Sequence, residues 1–206
     1  MYSVKIFQVG LMSNNSYLIY DKNTGEGVVI DPSLAYNKIS LFCKENNLTV
    51  SKVLLTHGHY DHIYDTYLFQ RENAKVFAHK SSLFNINSEY AKHQLFKKRK
   101  ISPQIDIFIE DNHVIPLLND QIKVMHTPGH SECSCCFLLQ NYIFSGDTLF
   151  KQTYGRYDFE DSSFDKLKRS LMQILTIPEN LIVCPGHEDI SSLDEEKKHN
   201  PILLVL

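Results

Sequence analysis

The run Thr56-His57-Gly58-His59-Tyr60-Asp61-His62 directly follows the apolar run Val53-Leu54-Leu55, and no other stretch constrains the chain so tightly. In an extended segment, residues two apart point the same way, which puts His57 and His59 on one side. Asp61 and His62 follow at the next bend and can face a point a few ångströms further on. Neutral imidazoles and a carboxylate suit a borderline divalent ion: zinc first, iron or manganese as well. Four such donors so close in sequence cannot easily converge on one tetrahedral ion. Two neighbouring ions, each completed from elsewhere in the chain, is the more natural geometry.

The remaining donors occur in segments of a common design. Val124-Met125-His126-Thr127-Pro128-Gly129-His130 and Leu181-Ile182-Val183-Cys184-Pro185-Gly186-His187 each take a β-like run into a Pro-Gly turn that presents a histidine. Ile143-Phe144-Ser145-Gly146-Asp147 is an apolar run, a glycine and an aspartate. Loops at strand ends are where a rigid sheet carries function. His79, His93, His113 and His199 lack a ligand-like neighbour in sequence and read as surface or satisfied core residues. His126 reads either as orienting a ligand from behind or as packing.

HxHxDH followed by a lone His, a lone Asp and a lone His resembles the pattern of the metallo-β-lactamase superfamily, with all seven positions in order. The resemblance implies an α/β fold, an αββα sandwich of two mixed β-sheets with outer helices, formed by residues 1–206 as a single domain. It further implies that His57, His59 and His130 hold a first divalent metal ion. Asp61, His62 and His187 would hold a second, and Asp147 would bridge both. Asp61 would also orient the attacking hydroxide and accept its proton. Two ions ~3.5–4 Å apart can share a hydroxide and polarise a neighbouring carbonyl, a combination suited to hydrolysis of an activated acyl compound. No Gly-x-Ser-x-Gly nucleophile elbow is present.

Further segments, Gly146-Asp147-Thr148-Leu149-Phe150, Gly155-Arg156-Tyr157-Asp158, Pro185-Gly186-His187 and Glu196 with Asn200-Pro201, are similar to the short glyoxalase II-like hydrolases. Those act as thioesterases on S-2-hydroxyacylglutathione, so the implied partner is a small-molecule thioester. The same run occurs in persulfide dioxygenases, where His57, His130 and Asp147 would hold a single iron; this is the alternative reading. A ribonuclease or lactonase of the superfamily ranks below both. Two positions depart from the family pattern: Tyr64-Asp65 stands where Gly-Gly is usual, and Cys133 where a glycine is usual. The chain also ends soon after His187, before the helical region that supplies glutathione contacts in full-length glyoxalase II. Arg156 is the candidate for a substrate carboxylate, with a salt bridge to Asp158, Glu160 or Asp161 as the structural alternative.

Composition narrows the partners. At 206 residues, 43% hydrophobic and 22% charged, the chain reads as one globular core. A formal net charge of −3 gives no overall attraction to nucleic acid or anionic membrane. No apolar stretch approaches the ~20 residues of a membrane span. The opening Met1-Tyr2-Ser3-Val4-Lys5 lacks the build of a signal peptide, and five cysteines without framework spacing fit a reducing cytoplasm. Cys133, Cys135 and Cys136 read as packing residues of a buried strand. Lys97-Lys98-Arg99-Lys100 reads as a solvated loop or helix end that could attract an acidic substrate. Oligomeric state has no signature in the sequence.

Periodicity predicts an antiparallel opening meander, a helix over 37–45, a helix over 61–71 and a strongly amphipathic helix over 164–175. The stretch 81–103 reads as partly helical. The two strand-then-histidine loops, one in each half, hint at an internal duplication.

Overall fold

The computed structural model describes residues 2–92 and 102–205, with the side chains of residues 89–92 left aside. His93 and the basic run 97–100 lie outside the described residues. The chain divides into two compact units, Met1–Ile109 and Glu110–Leu206.

The first unit carries a six-stranded sheet in the order β1-β2-β3-β4-β5-β6. Strands β1 (Ser3–Val9), β2 (Asn14–Asp21) and β3 (Glu26–Ile30) form the expected antiparallel meander. The β2–β3 turn closes at Gly25, whose φ of +72° suits glycine, while the Asp21 carboxylate accepts Asn23 N–H at 2.9 Å. From β3 the chain crosses over through helix α1 (Tyr36–Glu45) to β4 (Thr49–Leu54). β4, β5 (Lys75–His79) and β6 (Ile107–Ile109) then add in parallel. β4 is covered on both sides, and Val53 and Leu54 are fully buried. That explains its apolar run, as expected of a parallel strand packed on both faces.

The helix predicted over 61–71 is two helices, α2 (Tyr60–Ile63) and α3 (Thr66–Arg71). Asp65 breaks it: its N–H donates to Ser33 O at 2.7 Å, and its carboxylate accepts Tyr36 N–H at 3.1 Å, at the start of α1. Helix α4 (Ser82–Lys92) occupies the start of the stretch read as mixed.

The second unit holds the sheet β14-β13-β10-β9-β8-β7. β7 (Val114–Pro116), β8 (Gln121–His126), β9 (Cys135–Leu139) and β10 (Tyr142–Gly146) form an antiparallel meander. A small hairpin of β11 (Leu149–Phe150) and β12 (Thr153–Tyr154) precedes helix α5 (Phe164–Leu175). Next comes β13 (Ile182–Pro185), parallel to β10, then β14 (Ser191–Ser192) and helix α6 (Leu193–His199). α5 buries Leu167, Leu171 and Ile174 into the core containing Ile143, Val183 and Leu193. Its N-cap is Ser163, whose hydroxyl accepts from Lys166 N–H. The hairpin and β14 carry too few residues for a periodic signal. Among the described residues no helix is long and apolar enough to cross a membrane.

Candidate metal centre

In the first unit, β4 delivers Thr56 and His57 at its end, and α2 begins immediately after His59. This short helix brings His62 back onto His57, with ring centroids 4.1 Å apart; His59 lies 4.6 Å from His57 on another side. Gly58 is required here. A Cβ on it would meet Ser82 O at 2.8 Å and Asn85 Cβ at 2.9 Å, so α4 sits against a position that tolerates no side chain.

Buried Asp31, the first residue after β3, organises this group. Its Oδ1 accepts Thr56 N–H at 2.8 Å; its Oδ2 accepts the Thr56 hydroxyl at 2.6 Å and His62 Nδ1 at 2.9 Å. A carboxylate only accepts, so His62 carries its proton on Nδ1 and presents a lone pair on Nε2. The Thr56 hydroxyl hydrogen is engaged in its bond to Asp31, so at its 3.0 Å contact with His57 Nδ1 it can only accept. His57 is thereby also an Nδ1–H tautomer with Nε2 left to coordinate. Asp31, His57 and His62 offer ligand atoms within 4.8 Å of one another. Asp31 holds His62 directly and His57 through the Thr56 hydroxyl, the usual carboxylate–histidine arrangement behind a metal ligand.

Asp61 Oδ2 lies 3.5 Å from His62 Nε2 and accepts Asn14 Nδ2 at 2.9 Å. Ligands roughly 2.0–2.2 Å from a tetrahedral ion are separated by roughly 3.3–3.6 Å, so this pair has the spacing of two donors to one ion.

The second unit repeats that spacing twice on one atom. Asp147 Oδ2 is 3.6 Å from His130 Nε2 and 3.5 Å from His187 Nε2. Both separations are too long for a good hydrogen bond and match ligand-to-ligand edges. His130 Nδ1 donates to Arg156 O at 2.9 Å, which leaves Nε2 of the neutral ring as the coordinating atom. Two glycines permit this geometry. Gly129, at φ +145°, is packed so closely on α5 that a Cβ would come within 2.2 Å of Leu167 N. At Gly155 a Cβ would stand 1.8 Å from Asp147 O. The donor set of each unit therefore fits a divalent ion in residue type, tautomer and spacing.

The family signature described as metallo-beta-lactamase superfamily matches residues 9–187. The chain belongs to this superfamily. Hydroxyacylglutathione hydrolase of Pelagibacter ubique is 34% identical over 181 residues, covering 86% of this chain and 68% of the relative. Among solved structures, the BLEG-1 B3 metallo-beta-lactamase aligns with a TM-score of 0.86 at 28% identity, over 98% of this chain and 99% of that one. TTHA1623, solved in a di-iron-bound form, aligns with a TM-score of 0.83 at 27% identity, over 96% and 98% of the two chains. The α/β fold class read from the sequence is the one observed, and the histidine–aspartate clusters of this superfamily member fit divalent metal.

Other sequence candidates have different places. His126 Nε2 donates to the backbone carbonyl of Glu132 at 2.9 Å. The Arg156 guanidinium is 69% exposed, makes two bonds of 3.0 and 2.9 Å to Asp158, and stacks 4.7 Å over Phe159. His79 is buried and accepts Ser81 N–H through Nδ1, while His199 is exposed beside Glu195. Cys135 and Cys136 are buried in β9, and desolvation pushes both thiols up, Cys136 to about 12. They pack as small hydrophobes.

Asn14, Asp31, Thr56 and the Arg156 carbonyl were not marked by the sequence reading. Only Asp31 carried a usable signal: Val28-Val29-Ile30-Asp31 has the same strand-then-aspartate form as the segment ending in Asp147.

Proposed function

We propose that this superfamily member is a binuclear metal-dependent thioesterase of the glyoxalase II type, hydrolysing S-2-hydroxyacylglutathione or a related small-molecule thioester. The observation that carries the reading is Asp147 Oδ2, an oxygen donor nearly equidistant from the Nε2 atoms of two histidines. An oxygen so placed is a donor that two neighbouring ions could share. The relative from Pelagibacter ubique supports the substrate class.

In this reading His57, His59 and His130 would hold one ion, Asp61, His62 and His187 the other, and Asp147 would serve both. Two divalent ions, zinc in preference to iron or manganese, supply when bound a water acidic enough to ionise near neutral pH and a Lewis-acid pole for the thioester carbonyl. The side chains do the rest. Asp61, fixed by Asn14, accepts the proton that the attacking water gives up. Asp31 and Thr56 keep the protons of His62 and His57 on Nδ1, so that neither ring turns a proton towards the ions. Arg156 is the proposed contact for a substrate carboxylate, which would take the place of Asp158 in its two-bond fork.

Metal analysis of the purified chain, combined with hydrolysis of S-lactoylglutathione, tests the reading. Two metal equivalents and thioester hydrolysis are expected. A single iron with oxygen uptake on a glutathione persulfide would overturn it.

A further inference from the structure

Glu196 is the most deeply buried acidic side chain among the described residues, at 0% exposure, and the reaction outlined above makes no use of it. Its partners are specific. Oε2 accepts Gln152 N–H at 2.9 Å and Asn200 Nδ2 at 2.8 Å. Asn200 Nδ2 also donates to Thr153 O at 2.9 Å. Glu196 and Asn200 thus hold the Gln152 N–H, in the turn of the β11–β12 hairpin, and the Thr153 carbonyl, where its second strand begins.

That turn needs a grip. Gln152 has φ +54°, the left-handed region that a side chain with a Cβ enters at a cost and glycine enters freely. An N–H held by a buried carboxylate offsets that cost. The hairpin in turn sets the metal ligands of this unit. Its second strand leads directly into Gly155, which lies against Asp147 O, and Arg156, whose carbonyl takes the Nδ1 proton of His130. Gly155 N–H also donates to Thr148 O, next to Asp147.

We infer that Glu196, with Asn200, is a positioning residue for His130: by fixing the left-handed turn at Gln152 it holds the Arg156 carbonyl where it keeps His130 in the Nδ1–H tautomer. The inference rests on the proposed metal site for its meaning, but not for its test. Outer partners of metal ligands fix tautomer and ring orientation, and this is such a partner acting one step further out.

The test uses the full chain, metal-free and labelled with 15N-histidine, with His130 assigned by its loss in His130→Gln. Long-range 1H–15N spectra read its tautomer, and titration with Zn2+ alone against a chromophoric chelator reads affinity. Wild type should show a single Nδ1–H form. Glu196→Leu, which fills the space without an acceptor, should mix in the Nε2–H form and weaken zinc binding about tenfold. Glu196→Gln keeps an acceptor oxygen and should behave as wild type. Adding Gln152→Gly to Glu196→Leu should restore the tautomer, because glycine needs no help at that φ. If Glu196→Leu does not fold, Asn200→Ser serves instead: it keeps an acceptor for Ile202 N–H and loses the bond to Thr153 O. An unchanged tautomer, or a loss that Gln152→Gly leaves unrestored, would overturn the inference. Absence of thioester hydrolysis in the wild type with the tautomer still responsive would sink the hydrolase reading and leave this one standing.

Discussion

The two units place an aspartate at the same topological point and use it differently. Each follows the last antiparallel strand of its meander, before a helical crossover to a parallel neighbour whose end presents histidine. In the first unit this is Asp31 after β3, at φ +46°; in the second it is Asp147 after β10, where Gly146 takes φ +50°. Asp31 spends its acceptors on protein, bonding Thr56 twice and His62 once. Asp147 keeps Oδ2 facing two imidazole nitrogens at 3.5 and 3.6 Å. The same strand–aspartate device therefore serves as scaffold in the first unit and offers a ligand oxygen in the second. What separates them is where the neighbouring strand ends: Thr56 comes within reach of Asp31, whereas the loop after β13 brings up His187.

If that contrast is right, the two aspartates should fail differently. Asp147→Ala should reduce kcat/KM for the thioester roughly a thousandfold or more, about 4 kcal/mol of transition-state stabilisation, and lower metal content together with activity. Steady-state kinetics beside metal analysis would show it. Asp61→Ala should lose hydrolysis by roughly 10²–10⁴ while one metal equivalent survives, since the His57, His59 and His130 side chains are untouched. Loss of both metals would deny Asp61 its separate role.

Asp31→Asn sharpens the contrast. An amide supplies one acceptor oxygen where three bonds now end, so His62 or Thr56 loses its partner. Metal affinity should fall roughly 10–100-fold, with kcat largely recovered at saturating metal. A loss as deep as that of Asp147→Ala, unrelieved by metal, would erase the distinction. Gly155→Ala should cost about 1–3 kcal/mol in urea denaturation, because its methyl group would collide with backbone at Asp147. The smallest effect is expected from Arg156→Ala: a KM raised a few-fold with folding and metal intact, since the guanidinium is exposed and its partner Asp158 is too. An unchanged KM would remove Arg156 from substrate binding and leave only its carbonyl in play.

How much of this was legible depended on the range of each interaction. HxHxDH, the two Pro-Gly-His turns and the helix over 164–175 are local patterns, and α5 spans the predicted residues. Asn14 reaches Asp61 across 47 positions and Asp31 reaches His62 across 31, and such bonds leave no periodic trace. The break at Asp65 depends on Ser33 and Tyr36, so the local helical pattern ran through it. Arg156 was marked for its side chain, whereas its hold on His130 comes from a carbonyl that any residue would supply. Gly58, Gly129 and Gly155 are the converse case: each fits because of what the fold places against it.

The burial of the cysteines has a consequence for turnover. All five are buried and free of disulfides, and desolvation raises Cys43 to about 11, Cys136 and Cys184 to about 12, and Cys135 well above the usual thiol value. Thiol–disulfide exchange runs through the thiolate and needs access to sulfur; all five sulfurs are buried, and the four raised thiols hold little thiolate. A thioesterase releases a thiol at every cycle, beside its own polypeptide. In the proposed thioesterase reading, that thiol, once oxidised to its disulfide, would meet no accessible protein thiolate to exchange with, and the chain would escape thiolation by its own product.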